Sequence, residues 1–213
     1  MTELQEMATL LQQGNVNAVK TLTQRLLDNG VSAQTILNEG LIAGMTVVGE
    51  QMCCGEMYLP EVLQSASVMH AAIAVLKPHM LSGGVQSIGR VVLGTVKGDM
   101  HDIGKNLVAI MLQGAGFEIV DLGINTPPDK FVEAIQQHHP KIVGLSAMLT
   151  TTMLVMKKTI EAIKASEARA QTKIIIGGAP ITQRFADEIG ADAFAKDAVS
   201  AVDKVKELLA ISN

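Results

Sequence analysis

From Thr2 to about Pro78 the apolar residues recur at helical spacing, and no stretch alternates as a strand would. "TELQEMATLLQQG" runs to Gly14, "NVNAVKTLTQRLLDNG" opens on Asn15 as a cap and closes on Gly30, and "SAQTILNEGLIAGM" opens on Ser32. Pro60 suits the first turn of a long helix, "PEVLQSASVMHAAIAVLK", and Pro78 is expected to stop it. The pattern predicts a bundle of four to five helices over residues 1–79. "PHMLSGGVQSIG" then has the glycine and serine content of a connector, which places a linker at 80–89.

Beyond the linker the periodicity changes. The short β-rich runs "RVVLGTV", "FEIVDLG", "KIVGLSA", "KIIIGG" and "ADAFA" alternate with helical runs such as "IGKNLVAIMLQGAG" and "PDKFVEAIQQHH". Strands separated by helices pair in parallel through right-handed crossovers. Residues 90–213 are therefore expected to form an α/β domain, a flavodoxin-like (Rossmann-like) five-stranded parallel sheet of order 2-1-3-4-5 with helices on both faces. In such sheets ligands bind at the carboxyl ends of the strands, near the switch in strand order. The loop "GTVKGDMHDIGKN" lies at the end of the first strand, and "SAMLTTTM" and "GGAP" follow the third and fourth.

Composition narrows the function classes. With 213 residues and 48% hydrophobic content, the chain can bury a substantial core. The apolar side chains are almost all aliphatic, with 12 Met and no Trp, and methionine fills adaptable surfaces. A net charge of -4 without a basic patch argues against nucleic acid as a partner. Cys53 and Cys54, the only cysteines, are adjacent, which is wrong for a disulfide framework and fits a reducing compartment. No leading basic-then-apolar segment and no apolar run of membrane-spanning length is read, so the expectation is a cytoplasmic protein with no membrane partner.

Asp99 and His101 lie two apart on a loop, with Gly98 before them and Gly104 at the start of the next helix. Such a pair is either a capped helix start with a surface histidine, or an imidazole whose one nitrogen is held by a carboxylate while the other serves as base or metal ligand. Gly177 and Gly178 either permit a tight turn or let a large flat ligand or a phosphate approach the backbone. Ser146, Thr150, Thr151 and Thr152 are more hydroxyls than one helix cap needs. Cys53 and Cys54 lack zinc spacing, and His138 and His139 suit a helix end. The glycines around Gly94 and Gly98 miss the dinucleotide fingerprint, and no P-loop pattern occurs.

Taken together the motifs are specific. "DMHDIG" (Asp99 to Gly104) matches the D-x-H-x-x-G motif of cobalamin-binding proteins; 41 residues (105–145) separate it from Ser146 in "SAM", and 28 (149–176) separate Met148 from Gly177 and Gly178. The C-terminal half thus resembles the family with the D-x-H-x-x-G, S-x-L, G-G signature, with Met148 in place of the usual leucine. The stretch "GMTVVGEQMCCGEMYLPEVLQSASVMHAAIAVLKP" resembles the helical cap of methionine synthase and of small corrinoid proteins of methyltransferase systems, the bacterial O-demethylase, methylamine and methanol types above all.

This resemblance implies a cobalamin bound base-off, with His101 as the lower axial ligand of cobalt, and with Asp99 and Thr152 behind it. It implies cofactor contacts from Gly98, Met100, Asp102, Ile103, Gly104, Ser146, Met148, Thr150, Gly177 and Gly178. A cap over the upper face would include Leu59, and Met52 where the family has phenylalanine. The implied function is a methyl carrier, non-catalytic alone, cycling between cob(I)alamin and methylcobalamin. Its implied partners are a donor-specific methyltransferase (aryl methyl ether, methylamine, methanol or betaine), an acceptor methyltransferase (tetrahydrofolate or coenzyme M) and a reductive activase. Two alternatives are a cobalamin-dependent sensor or regulator core and the carrier subunit of an adenosylcobalamin mutase. The first is disfavoured by a chain that opens on cap-like helices, the second by the cap itself.

Overall fold

The computed structural model describes residues 2–83, 87–166, 169–170 and 172–211. Two compact units emerge, residues 1–87 with 114–116, and residues 88–113 with 117–213.

The first unit is helical. Helix α1 (Glu3–Gln12) starts with a capping box in which Thr2 and Gln5 satisfy each other's backbone N–H groups. Asn15 caps α2 (Val16–Asp28) through the Ala18 N–H, and Ser32 caps α3 (Ala33–Thr35) through the Thr35 N–H, as their residue types predict. α3 continues without a break through a π-helical stretch, Ile36–Ile42, into α4 (Ala43–Cys54), which ends on Gly55. The apolar stripes of these helices, with Met7, Leu11, Val19, Leu26, Leu41 and Val48 all buried, form the core of the bundle.

Two expectations fail at the last helix of this unit. α5 runs Leu59–Gly83 and contains Pro78 rather than ending at it. Proline's fixed φ is itself helical, so the helix continues after losing one i→i−4 hydrogen bond. The expected linker at 80–89 therefore begins inside a helix, and its residues 84–86 lie outside the described residues. In addition, Leu59–Leu76 is long and apolar enough to cross a membrane by length and composition alone, contrary to the reading that no run approached that length. The same segment buries Val62, Val68, Met69, Ala72 and Leu76, as the core helix of a bundle does.

The second unit is a five-stranded parallel sheet of order β2-β1-β3-β4-β5, as the alternating pattern predicts. Its elements are β1 (Arg90–Thr95), α6 (Ile103–Gly114), β2 (Glu118–Asp121), α7 (Pro128–His138), β3 (Ile142–Ser146), α8 (Thr150–Ala165), β4 (Lys173–Gly177), α9 (Gln183–Ile189), β5 (Ala193–Ala195) and α10 (Ala198–Leu208). β1, β3 and β4 are near-continuous runs of buried Val, Ile and Leu, the composition of strands covered on both faces. β2, at the edge, is half-exposed. The register pairs Thr95 with Ser146 and Ser146 with Gly177, so the loops after β1, β3 and β4 leave the same edge of the sheet side by side.

Candidate functional site

The loop after β1 is built around a buried carboxylate. Asp99 is fully buried. Its Oδ1 accepts hydrogen bonds from His101 Nδ1 at 2.7 Å and from the His101 backbone N–H at 3.1 Å. Its Oδ2 accepts from the Met148 N–H and the Thr152 hydroxyl, each at 2.7 Å. Burial by itself raises the pKa of a carboxyl group, but these four donors outweigh it and hold Asp99 well below the usual carboxylate range. Leu149, at the N-cap position of α8, offers no side-chain cap, and the Asp99 anion lies at this helix end, where negative charge is favoured.

The ionised Asp99 decides what His101 presents. With the carboxylate as acceptor, the proton between them belongs to Nδ1, and Nε2 of the neutral ring is the nitrogen with a free electron pair. The His101 side chain is 53% exposed beside a carboxylate that is 0% exposed, so the ring is fixed from the inside and open outward. Thr152 serves two acceptors, Asp99 and the Leu149 carbonyl at 2.9 Å. Thr152→Val is expected to destabilise the chain by about 1–2 kcal/mol without changing the fold, since Asp99 loses a hydroxyl that no water can replace in a buried position. Urea unfolding of the two proteins measures this difference.

The other predicted residues fall around this centre in ways the structure makes specific. Gly98 has φ +85°, a left-handed conformation that suits glycine. Gly178 has φ +135°, and a Cβ there would run into the Ala147 carbonyl oxygen. Gly177 ends β4 and Ser146 ends β3. Met100, Ile103 and Met148 are large apolar side chains left exposed, and Thr150 opens α8 at the surface. Asp102 precedes α6 and accepts from the Asn106 side chain at 3.1 Å. Met52, near the end of α4, and Leu59, the first residue of α5, are half-buried in the helical unit. Among the described residues no cluster of three or more His, Cys, Asp or Glu forms a metal cage.

Some residues that shape the loop were not singled out from sequence. Thr95, buried at the end of β1, donates its hydroxyl to the His101 carbonyl at 2.9 Å. Lys105, also buried, pairs with Asp121 at the end of β2 and donates to Asn106 Oδ1 at 2.7 Å. Asn125 accepts from the Gly98 N–H. A polar residue directly after Gly123 and Ile124 in a strand-end loop was the signal available for Asn125; for Lys105 it was a lysine in the first turn of an otherwise apolar helix.

These features fit the group that the resemblance implies. A flat macrocycle with a metal needs an outward nitrogen ligand, an apolar floor and backbone that lies low enough to be covered. His101 Nε2 would serve as such a ligand, and the exposed Met100, Ile103 and Met148 would serve as such a floor. Among the described residues nothing lies within 4 Å of where a Cβ on Gly104 would stand, although Gly104 sits in the first turn of α6. Gly104→Leu is accordingly expected to leave folding within about 1 kcal/mol of wild type, leucine being the better helix former, while weakening corrinoid binding at least about tenfold. Thermal melting and spectrophotometric titration separate the two effects.

Known proteins resemble this chain in both units. The family described as B12 binding domain matches residues 89–206, and a second family of the same description matches residues 3–77. A corrinoid protein of Desulfitobacterium hafniense (strain Y51) is 39% identical over 212 residues, covering 98% of each chain. The dimethylamine corrinoid protein of Methanosarcina barkeri is 46% identical over 176 residues, 82% of this chain and 83% of that one. Among solved structures, a cobalamin-binding protein from Desulfitobacterium hafniense DCB-2 superposes with a TM-score of 0.80 at 31% identity over 98% of this chain and 99% of that one. One chain in the structure of the methanol:cobalamin methyltransferase complex of Methanosarcina barkeri superposes with a TM-score of 0.88 at 27% identity, covering 99% of this chain and 81% of that one. The chain belongs to the corrinoid proteins of methyltransferase systems, with both of that family's B12-binding modules and cobalamin as its cofactor.

Proposed function

We propose that this chain carries a methyl group from one methyltransferase to another, holding its cobalamin base-off with His101 Nε2 on the lower face of cobalt. The bound corrinoid supplies a metal centre that can accept a methyl group and give it up again. The protein's own part is to hold and tune. Asp99 keeps the proton on His101 Nδ1 and so keeps Nε2 available as a ligand. Thr152 and the Met148 N–H keep Asp99 ionised and in place. Gly177 and Gly178, with Ser146 paired to Gly177 in register, would hold the displaced tail of the cofactor along their backbone. Gly98, Met100, Asp102, Ile103, Gly104, Met148 and Thr150 would line the face of the ring nearest the protein.

The observation that carries this reading is the single buried Asp99 that binds the His101 ring, the Met148 backbone and the Thr152 hydroxyl at once. A surface histidine beside a helix cap needs no such anchor.

The donor is selected by the partner enzyme rather than by this chain. Among aryl methyl ethers, methylamines, methanol and betaines, methylamines are favoured by relatives named as dimethylamine and trimethylamine corrinoid proteins. The acceptor enzyme uses tetrahydrofolate or coenzyme M, and a reductive activase restores the carrier after oxidation. A cytoplasmic setting is consistent with Cys53 and Cys54 standing as free, exposed thiols. The test is to load the protein with cobalamin, reduce it, and supply each donor class with the methyltransferase encoded beside it. Methylated corrinoid should appear with one donor class; no methylation across the panel with loaded, reduced protein overturns the carrier reading.

A further inference from the structure

The loop bearing His101 is gripped from a second side, by the connection between β2 and α7. That connection is zipped to the exit of β1: the Thr95 N–H donates to the Gly123 carbonyl at 2.9 Å and the Thr126 N–H to the Thr95 carbonyl at 2.9 Å. At its tip Asn125 reaches across to the loop twice. Its backbone N–H donates to the Asp99 carbonyl at 3.0 Å, and its side-chain Oδ1 accepts from the Gly98 N–H at 2.8 Å. Both residues on this contact are left-handed, Asn125 at φ +53° and Gly98 at φ +85°. Asparagine tolerates that conformation better than most side chains and also brings an acceptor.

We propose that Asn125 is a positioning residue for His101, setting the ring's reach toward its ligand by clamping the Gly98–Asp99 backbone through paired hydrogen bonds. Asp99 fixes the ring's rotation and its tautomer, and through the Met148 N–H and the Thr152 hydroxyl it ties the loop to the β3–α8 side only. Asn125 is anchored independently, on the β2–α7 connection. This role rests on the reading of His101 as the cobalt ligand. Ligand bonds demand placement to a few tenths of an ångström, and small shifts of the supporting residues change affinity by roughly ten- to a hundredfold.

Two substitutions divide the clamp. Asn125→Gly keeps a left-handed backbone and the bond to the Asp99 carbonyl but removes the acceptor for the Gly98 N–H. Asn125→Asp keeps an acceptor oxygen at the same place. In the apo protein, Gly98 amide exchange followed by NMR should quicken at least about tenfold in Asn125→Gly and stay near wild type in Asn125→Asp. In protein titrated with hydroxocobalamin, Asn125→Gly should bind about tenfold more weakly, with a smaller share of the imidazole-ligated spectrum, and Asn125→Asp should restore both. Unchanged Gly98 exchange in Asn125→Gly overturns the clamp. Lost protection with an unchanged imidazole-ligated spectrum and unchanged affinity overturns the positioning role. If wild type itself takes up hydroxocobalamin without an imidazole-ligated spectrum, the reading of His101 falls and the positioning role with it, while the exchange data still decide the clamp.

Discussion

Replacing Asp99 with alanine is expected to lower the unfolding free energy of the apo chain by about 3–4 kcal/mol, the largest stability loss of any single change at the site. Three separate parts of the chain end on this one side chain: the His101 loop, the turn after β3 and the first turn of α8. Without the carboxylate, the Met148 N–H and the Thr152 hydroxyl lose a buried acceptor. Urea unfolding at neutral pH measures the loss, and a variant as stable as wild type would remove Asp99 from the centre of the site. The charge also leaves a signature in acid. The folded-state pKa lies below the ordinary value of 3.8, so the ionised carboxylate contributes its full stabilisation above that value and loses it as pH falls toward the folded pKa. Asn at 99 has no such proton to take up. The stability difference between wild type and Asp99→Asn should therefore be constant near neutrality and close below the ordinary carboxylate pKa, whereas parallel curves down to the acid transition would contradict it.

Much of this arrangement is legible in the sequence. The buried strands declare themselves as Val and Ile runs, and topology then carries their ends to one edge, which is why Asp99, Ser146 and Gly177 could be associated across large separations in sequence. Local chemistry was equally readable at Asn15 and Ser32, whose caps depend only on residues three positions away. Features set by packing were not. The π-helical stretch Ile36–Ile42 follows no local propensity, and at Gly44, just beyond it, a Cβ would stand 3.1 Å from Cα of Ala8 in α1, a close approach between helices that no local pattern announces. Pro78 misled for the same reason, because a helix held by its neighbours can absorb a residue that would end an isolated one. Asn125 and Lys105 escaped notice because their partners, Gly98 and Asp121, are 27 and 16 residues away.

His101→Ala should divide folding from binding in the opposite sense to Asp99. The ring is half-exposed, and Asp99 retains the backbone N–H of residue 101, the Met148 N–H and the Thr152 hydroxyl. Apo stability should change by less than about 1 kcal/mol. Corrinoid binding should weaken by about a hundredfold and the absorbance of bound cobalamin should lose its imidazole-ligated character, since the proposed nitrogen ligand is removed. Partial retention of affinity is expected, because the proposed contacts from the exposed Met100, Ile103 and Met148 and from the Gly177–Gly178 backbone are untouched. A variant with wild-type affinity and spectrum would show that His101 is the surface histidine of the simpler reading.

The source of the ligating nitrogen can be read directly. Protein labelled uniformly with nitrogen-15, loaded with unlabelled cobalamin and reduced to the paramagnetic cobalt(II) state, reports its axial nitrogen through the superhyperfine splitting of the electron paramagnetic resonance spectrum. A ligand from His101 gives a doublet, because nitrogen-15 has spin one-half, and the doublet disappears in His101→Ala. A triplet in the labelled protein would mean that the nitrogen comes from the cofactor's own base, and would contradict the assignment of His101 to cobalt.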